Sequence, residues 1–164
     1  MVTALPDVNV LIALAFPNHL HHAPAQEWFG AARNRPWATC PLTQLGFIRI
    51  ASNPRLSVAA VLPAQARALL MAATHVGDHR FWPDDVDVSA APEFASDLLV
   101  GHRQVTDAYL IAMAARHDGV VVTFDRSMPD LLPMHSPDRS RIQMLTGLAG
   151  NDDRRCGGLS DRRL

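Results

Sequence analysis

Short apolar runs and longer mixed segments alternate along this chain, and their lengths fit strands and helices in turn. Strands are predicted at residues 2–5, 37–40, 120–124 and 141–145, with a weak strand or loop at 81–88. Helices are predicted at residues 8–15, 22–33, 41–52, 63–74, 93–99 and 107–117. This alternation is typical of a doubly wound α/β domain with a parallel sheet. The unbroken apolar run 120–124 fits a parallel strand that is covered on both faces.

Proline, threonine and glycine mark the ends of several predicted helices. Pro41 and Pro63 suit the first helical position, where the missing N–H leaves no hydrogen bond unmade. Thr106 is placed to cap the helix that begins at Asp107, and Gly119 ends that helix. The helix boundaries are therefore predicted from local chemistry as well as from the apolar pattern.

Three aspartates stand where predicted strands end or a predicted helix begins. Asp7 follows the first strand, Asp125 ends the run 120–124, and Asp107 opens the helix that leads to that run. In an open α/β sheet such positions meet at the carboxyl ends of the strands, where these folds bind ligands. Three carboxylates in one partly buried place repel each other strongly unless a divalent cation lies among them. The pattern predicts a metal-dependent hydrolase.

Each aspartate also has a purely structural interpretation. Asp107 would complement the dipole of its helix, Asp125 would bond to its own turn, and Asp7 would cap the helix that follows it. Their joint placement at one edge of the predicted sheet favours a shared site over three separate structural roles.

Composition limits the chemistry that the chain can perform. The 164 residues suit a single domain, predicted as residues 1–146, followed by a polar and loosely ordered tail at residues 147–164. All fifteen basic residues are Arg, and the absence of Lys excludes Schiff-base chemistry and a Walker A phosphate loop. The net charge of −1 gives no general basic field for nucleic acid.

Cysteine usage and hydropathy bear on where the protein works. Cys40 and Cys156 are far apart, which favours a reducing cytoplasm and argues against a zinc site. Asp7 and Asn9 interrupt the first apolar stretch, so no signal peptide is expected. No apolar run approaches membrane-spanning length. A cytoplasmic protein without membrane contact is predicted.

Four segments within residues 2–145 stand out by their order along the chain: LPDVNVLIAL, PLTQLGFIRIASNPR, VTDAYLIAMAARHDG and VVVTFDR. In this order they resemble the motifs of PIN-domain nucleases, and most closely those of the VapC type of bacterial toxin. The resemblance implies a three-layer α/β/α sandwich around a parallel sheet, and RNA cleavage with Mg²⁺ or Mn²⁺. Asp7 and Asp107 are expected to ligate the metal, with Asp125 either a third ligand or the general base.

The resemblance extends to residues around the acidic cluster. Asn9 matches the small polar residue that buttresses the first aspartate, and Thr123 matches the hydroxyl that often precedes the last one. Many family members have a glutamate in the second motif, where this chain has Gln44. Gln44 either accepts a hydrogen bond from a water on the metal, with weaker binding of a second ion, or only caps or solvates its helix. Carboxylates that could replace the glutamate are those of Asp84, Asp85 and Asp87.

The implied substrate and partners need further surfaces. Arg49, Arg103 and Arg126 are candidates for phosphate contacts with RNA. Each is equally a candidate for a solvated surface group, and Arg103 and Arg126 for pairing with nearby aspartates. VapC toxins usually bind a small antitoxin and commonly form homodimers, so both partners are expected here. The apolar residues that would form such a contact, or else the core, are Leu11, Leu14, Phe16, Phe47 and Ile50.

Other interpretations remain open at this point. His19, His21 and His22 have a spacing that can bind a transition metal, or they belong to a solvated loop. A haloacid-dehalogenase phosphatase is one rival function, although its second aspartate is replaced here by Asn9. A non-catalytic binding module is the other, with Gln44 as the mark of a decayed site.

Overall fold

Five short parallel strands form the centre of this fold in the computed structural model, which describes residues 1–31, 35–56, 59–92, 94 and 97–146. The strands are β1 (Ala4–Pro6), β2 (Pro36–Thr39), β3 (Asp78–Phe81), β4 (Val120–Thr123) and β5 (Ile142–Met144). They lie in the order β3-β2-β1-β4-β5, and every neighbouring pair is parallel. The chain order reverses at β1 and β4, so their carboxyl ends flank the crevice where open α/β sheets bind ligands.

Helices cover both faces of the sheet. They are α1 (Val8–Ala15), α2 (His22–Ala31), α3 (Pro41–Ala51), α4 (Pro63–Thr74) and α5 (Gln104–Arg116), with 3-10 helices at Met128–Leu131 and Pro137–Arg141. Successive strand residues point to opposite faces, so Val121 packs in one apolar cluster with Ile111, and Val122 packs in the other with Phe47 and Leu70. The predicted three-layer α/β/α sandwich with a central parallel sheet is confirmed.

Several predicted boundaries were wrong. The first strand is Ala4–Pro6 rather than residues 2–5, and β3 lies at Asp78–Phe81, before the predicted segment 81–88. Helix α5 begins at Gln104, so Thr106 is not its cap. The side-chain carbonyl of Gln104 accepts hydrogen bonds from the backbone N–H groups of Val100 and Gly101, at 2.9 and 3.1 Å. These bonds stabilise the chain at the point where helix α5 begins.

Some predicted segments are only partly described by the structure. In the predicted helix 93–99, the described positions 94 and 97–99 are bends, turns or irregular chain. Residues 32–33 of the second predicted helix, the predicted tail 147–164 and Cys156 lie outside the described residues. Among the helices that are described, none has the length and apolar character to cross a membrane.

Gly119 marks a point where helix α5, strand β4 and the β3 side of the sheet come close together. A Cβ atom added at Gly119 would lie 2.5 Å from the ring of Trp82 and 2.7 Å from the carbonyl oxygen of Thr3. Because that oxygen accepts the 3.0 Å hydrogen bond from the N–H of Val120, the backbone has little freedom to move away.

We therefore expect Gly119→Ala to lower the free energy of unfolding by about 2–3 kcal/mol through overpacking. Urea unfolding measures this effect. Gly30→Ala is the matched control, since a Cβ at Gly30 would meet nothing within 4 Å and alanine favours the helical conformation there. Equal stability of the two variants would contradict the proposed close approach at Gly119.

Candidate active site

Asp7 lies at the carboxyl end of β1 and is almost completely buried, at 4% exposure. It caps helix α1, because its Oδ1 accepts a 2.7 Å hydrogen bond from the backbone N–H of Val10. Its Oδ2 accepts a hydrogen bond from the hydroxyl of Thr123, the last residue of β4. Asp7 therefore caps helix α1, as the structural interpretation has it. It also lies where the strand order reverses, between the carboxyl ends of β1 and β4.

Thr123 joins Asp7 to the turn that carries Asp125. The Thr123 Oγ1 atom accepts a 2.9 Å hydrogen bond from the backbone N–H of Asp125. Asp125 in turn accepts hydrogen bonds at Oδ1 from the N–H and the hydroxyl of Ser127, at 2.8 and 2.7 Å. Ser127 was not identified from the sequence, since a serine two residues after an aspartate is ordinary turn chemistry.

Asp107 completes the acidic cluster from the first turn of α5. Burial, with repulsion from Asp125 and then Asp7, raises the pKa of Asp107 to about 6. Burial also raises the pKa of Asp7 to about 6, with a smaller contribution from the charge of Asp125, although hydrogen bonds from Thr123 and Val10 lower it. The structure thus brings the three carboxylates within range of each other's charge, and their role as metal ligands stays a prediction.

The donor atoms of this cluster suit a hard divalent cation. Carboxylate oxygens are the ligands that Mg²⁺ and Mn²⁺ prefer, and a cation would favour the charged forms of Asp7 and Asp107. Among the described residues, no group of three or more His, Cys, Asp or Glu side chains is placed so that the group could hold a metal ion. Because Mg²⁺ usually keeps several waters and uses one or two carboxylates, the cluster fits an open site of that kind.

Without a divalent cation, we expect stability to fall as the pH rises from about 4 to about 6. The pKa values of Asp7 and Asp107 are raised from 3.8 to about 6. In this window the folded protein therefore binds more protons than the unfolded one, and the free energy of unfolding decreases with pH. For Asp7 the full change is about 3 kcal/mol, since one pKa unit corresponds to about 1.4 kcal/mol. Urea unfolding in EDTA across the window measures it.

Two histidines act in the opposite direction, because burial lowers the pKa values of His19 and His79. The control is therefore the difference between the wild-type protein and Asp107→Asn, from which the histidine contribution cancels. That difference should change with pH within the same window. A difference that stays constant would contradict the raised pKa of Asp107.

The side-chain amide of Gln44 belongs to a hydrogen-bond network at the end of β2. Its Nε2 donates to the hydroxyl of Thr39 at 2.9 Å, and that hydroxyl lies 2.9 Å from Nε2 of His79. Thr39 is completely buried at the end of β2, so it requires such partners. Gln44 therefore does more than solvate the start of α3.

The other predicted supporting groups take different places. The backbone N–H of Asn9 contacts Asp7, while the Asn9 side chain is exposed. Asp84 accepts a 3.0 Å hydrogen bond from the hydroxyl of Tyr109, and Asp85 pairs with His117 at 3.0 Å. The third of these carboxylates, that of Asp87, accepts hydrogen bonds from Ser89. The three carboxylates thus have partners of their own, and replacement of the missing glutamate by any of them stays a prediction.

The candidate phosphate contacts are available to a ligand. Arg49, Arg103 and Arg126 are exposed, and none of them forms an ion pair with a described acidic residue. The alternative that Arg103 and Arg126 pair with adjacent aspartates is therefore wrong for the described part of the chain. Contact with RNA phosphate stays a prediction for all three.

The histidine-rich segment lies beside the acidic cluster. The ring of His21 stacks on Phe124, with centroids 4.4 Å apart, directly between Thr123 and Asp125 in sequence. His22 is bonded through Nδ1 to the carbonyl oxygen of Ala13 at 2.7 Å. No metal-binding group of three is formed by His19, His21 and His22, all of which are described. The segment packs against Phe124 beside the site, and this stacking could not be predicted from the sequence.

The apolar surface expected to contact partners divides into two parts. Leu11 and Phe47 are buried in the core, as the alternative interpretation had it. Both also line an apolar cavity of about 410 Å³ together with the half-buried Leu14. Phe16 and Ile50 line a different cavity, of about 270 Å³, which Asn9 also lines.

Comparison with known proteins agrees with this fold and identifies the family. The PIN domain family matches residues 4–131 of the chain. Ribonuclease VapC39 of Mycobacterium tuberculosis (strain ATCC 25618 / H37Rv) is 49% identical over 129 residues, which are 79% of this chain and 93% of that protein. Ribonuclease VapC38 of the same strain is 48% identical over 143 residues, or 87% of this chain and 98% of that protein. The chain belongs to the PIN-domain family, and within it to the VapC proteins.

A solved structure supports the same fold. The crystal structure of DNA-bound VapBC from Salmonella typhimurium matches with a TM-score of 0.55 and 17% sequence identity, covering 88% of this chain and 97% of that chain. At this level of identity the likeness concerns the fold alone. Together with the family match, it confirms the resemblance to PIN-domain nucleases of the VapC type.

Proposed function

We propose that this protein is an endoribonuclease dependent on Mg²⁺ or Mn²⁺ and acts as the toxin of a type II toxin–antitoxin pair. The observation that carries the proposal is the cluster of Asp7, Asp107 and Asp125 at the strand crossover, with two of the three pKa values raised. The relatives are named ribonucleases, which supports RNA as the substrate. Membership of the PIN-domain family decides against the phosphatase alternative.

The residues of the cluster divide the work of phosphodiester hydrolysis. A bound divalent cation supplies charge neutralisation at the phosphate and a lower pKa for an attacking water. Asp7 and Asp107 would hold the cation, and Thr123 fixes the carboxylate of Asp7 through its hydroxyl. Asp125 has one oxygen bound to Ser127, so its other oxygen is available to orient the water and accept its proton. The exposed Arg49, Arg103 and Arg126 hold the RNA backbone.

Two protein partners belong to the proposal. The apolar cavity lined by Leu11, Leu14 and Phe47 is of a size and character to take side chains of a small antitoxin. A homodimer is also proposed, as is usual for toxins of this type. Purified protein analysed by light scattering, alone and with its co-purified antitoxin, measures both assemblies.

Cleavage of total RNA tests the proposed activity directly. The purified protein is incubated with Mg²⁺, with Mn²⁺ and with EDTA, and the fragment ends are mapped. Discrete fragments that disappear with EDTA are expected. Asp97→Asn serves as the control substitution, because Asp97 is exposed and outside the acidic cluster. Cleavage that continues unchanged in EDTA would contradict a metal-dependent nuclease.

The alternative of a weakened or non-catalytic binding module rests on Gln44. The amide of Gln44 donates to the buried Thr39, whereas a carboxylate at this position could only accept from that hydroxyl, so Gln44→Glu would reverse the hydrogen bond and disturb the bond between Thr39 and His79. We expect Gln44→Glu to lower the free energy of unfolding by about 1 kcal/mol and to leave the cleavage rate without gain. Thermal unfolding and the RNA assay measure the two effects. A large gain of cleavage would show that the native site is decayed and favour the binding module.

A further inference from the structure

A cavity of about 270 Å³ lies between helix α1, the turn that follows it and helix α3. Its apolar floor includes Ile12, Phe16 and Ile50, all half-buried. Pockets for drug-sized ligands usually measure roughly 300–1,000 Å³. This cavity is therefore suited to a single planar ring system rather than to a larger ligand.

Polar side chains stand at the rim of this cavity. Asn9 and Asn18 are exposed and line it, and neither side-chain amide is paired with any other described residue. An amide presents both a hydrogen-bond donor and an acceptor, and free amides at the rim of an apolar cavity are suited to a ligand with a patterned polar edge.

His19, the third polar group at the rim, has a fixed proton position. Its Nδ1 accepts a 3.2 Å hydrogen bond from the backbone N–H of His21. Burial and the neighbouring His21 and His22 lower the pKa of His19, which favours the neutral ring. With Nδ1 as acceptor, the proton of the neutral ring is on Nε2, so His19 offers one defined donor.

Helix α1 links the cavity to the acidic cluster. Asn9 is two residues after Asp7, in the first turn of the helix that Asp7 caps. Unpaired RNA bases are recognised by stacking on aromatic side chains together with hydrogen bonds to their polar edges. Phe16 supplies an aromatic surface, and the polar groups of the rim supply hydrogen-bond donors and acceptors.

We propose that this cavity binds one unpaired nucleobase of the RNA chain beside the scissile phosphate, and so selects the sequence that is cleaved. The inference rests on the proposed nuclease function and adds a base-specific subsite to it. Because Asn9 on the rim follows Asp7 by two residues, a base held here belongs to a nucleotide near the acidic cluster, and helix α1 connects recognition with cleavage.

The test uses a library of random single-stranded RNA and reads it in two ways. In the first, the wild-type protein cleaves the library with Mg²⁺ and the cut ends are sequenced. In the second, the Asp107→Asn protein selects bound RNA in EDTA, which requires no cleavage. One base is expected to be enriched about tenfold at a fixed distance from the cut, and again among bound RNAs, as the stacking of one base allows.

Variants of the cavity decide the assignment. Asn18→Ala and Phe16→Leu should lose the enrichment while the library is still cleaved, and thermal unfolding confirms that they fold. Phe81→Leu is the matched control, because Phe81 is an exposed aromatic residue on the edge strand β3. Its base preference should equal that of the wild-type protein.

The two proposals fail in different ways. Cleavage with no fixed base, or with the same base in Asn18→Ala and Phe16→Leu, would overturn the subsite and leave the nuclease. Absence of cleavage together with a base preference in the binding assay would overturn the nuclease and leave the subsite. Absence of any base preference among bound RNAs would overturn the subsite in either case.

Discussion

Asp107→Asn should lower the rate of RNA cleavage by at least about a hundredfold. The variant should remain folded and be no less stable than the wild-type protein in EDTA. The loss of activity is expected because the amide adds no charge to the cation site. The stability is expected to hold or increase because Asp107 is a half-buried carboxylate that Asp125 and Asp7 repel. Fragment analysis measures the first effect, and urea unfolding in EDTA above about pH 6 measures the second.

The combination of these two results distinguishes a catalytic aspartate from a structural one. If Asp107 served only the dipole of helix α5, its replacement would lower stability by about 0.3–1 kcal/mol and leave cleavage intact. Asp97→Asn removes an exposed carboxylate outside the cluster and should change neither property. Full cleavage by a folded Asp107→Asn protein would end the assignment of the active site.

Thr123→Val should impair both folding and cleavage, because one hydroxyl serves two aspartates. The valine keeps the shape of the side chain but cannot donate to Asp7 or accept from the N–H of Asp125. Buried polar groups left without partners cost about 1–3 kcal/mol, so the free energy of unfolding should fall by that amount. Loss of the Thr123 hydrogen bond also raises the pKa of Asp7 further, since that bond lowers it in the native protein.

The pH dependence of cleavage reports this change directly. With a higher pKa at Asp7, the rising limb of the rate profile should move to higher pH in Thr123→Val. Thr123→Ser keeps the hydroxyl and should restore the native profile. Thr3→Val is a matched control at another buried threonine, whose only described side-chain contact is a weak 3.5 Å hydrogen bond from Arg80. A native profile in Thr123→Val would contradict the proposed role of the hydroxyl.

Sequence patterns predicted the architecture well where burial was uniform. The apolar run at β4 was recognisable as a strand covered on both faces because Val121 and Val122 serve opposite clusters. Strand β3 was placed too late because its residues Asp78, His79, Arg80 and Phe81 are mostly exposed at the edge of the sheet. An edge strand has one unpaired side, so its apolar pattern is weak and carries little information.

Within the site, the sequence identified the carboxylates but not the contacts that hold them. Asp7, Asp107 and Asp125 could be predicted because strand ends converge in an open α/β fold. The partners of Gln44 could not, because Thr39 and His79 come together only through the pairing of β2 with β3. Side-chain hydrogen bonds between distant segments depend on the register of the strands, and this register could not be predicted from the sequence alone.

The hydrogen bond between Thr123 and Asp7 joins positions 116 residues apart. During synthesis at about 5–20 residues per second, Asp7 is made roughly 6–23 s before its partner. Asp107 and Asp125 follow Asp7 by 100 and 118 residues, so a nascent polypeptide has only one of the three carboxylates until residue 107 is added. Under the proposed mechanism, a product that ends before residue 123 lacks Asp125 and the hydroxyl that bonds to Asp7, and it is expected to leave the RNA that encodes it uncut.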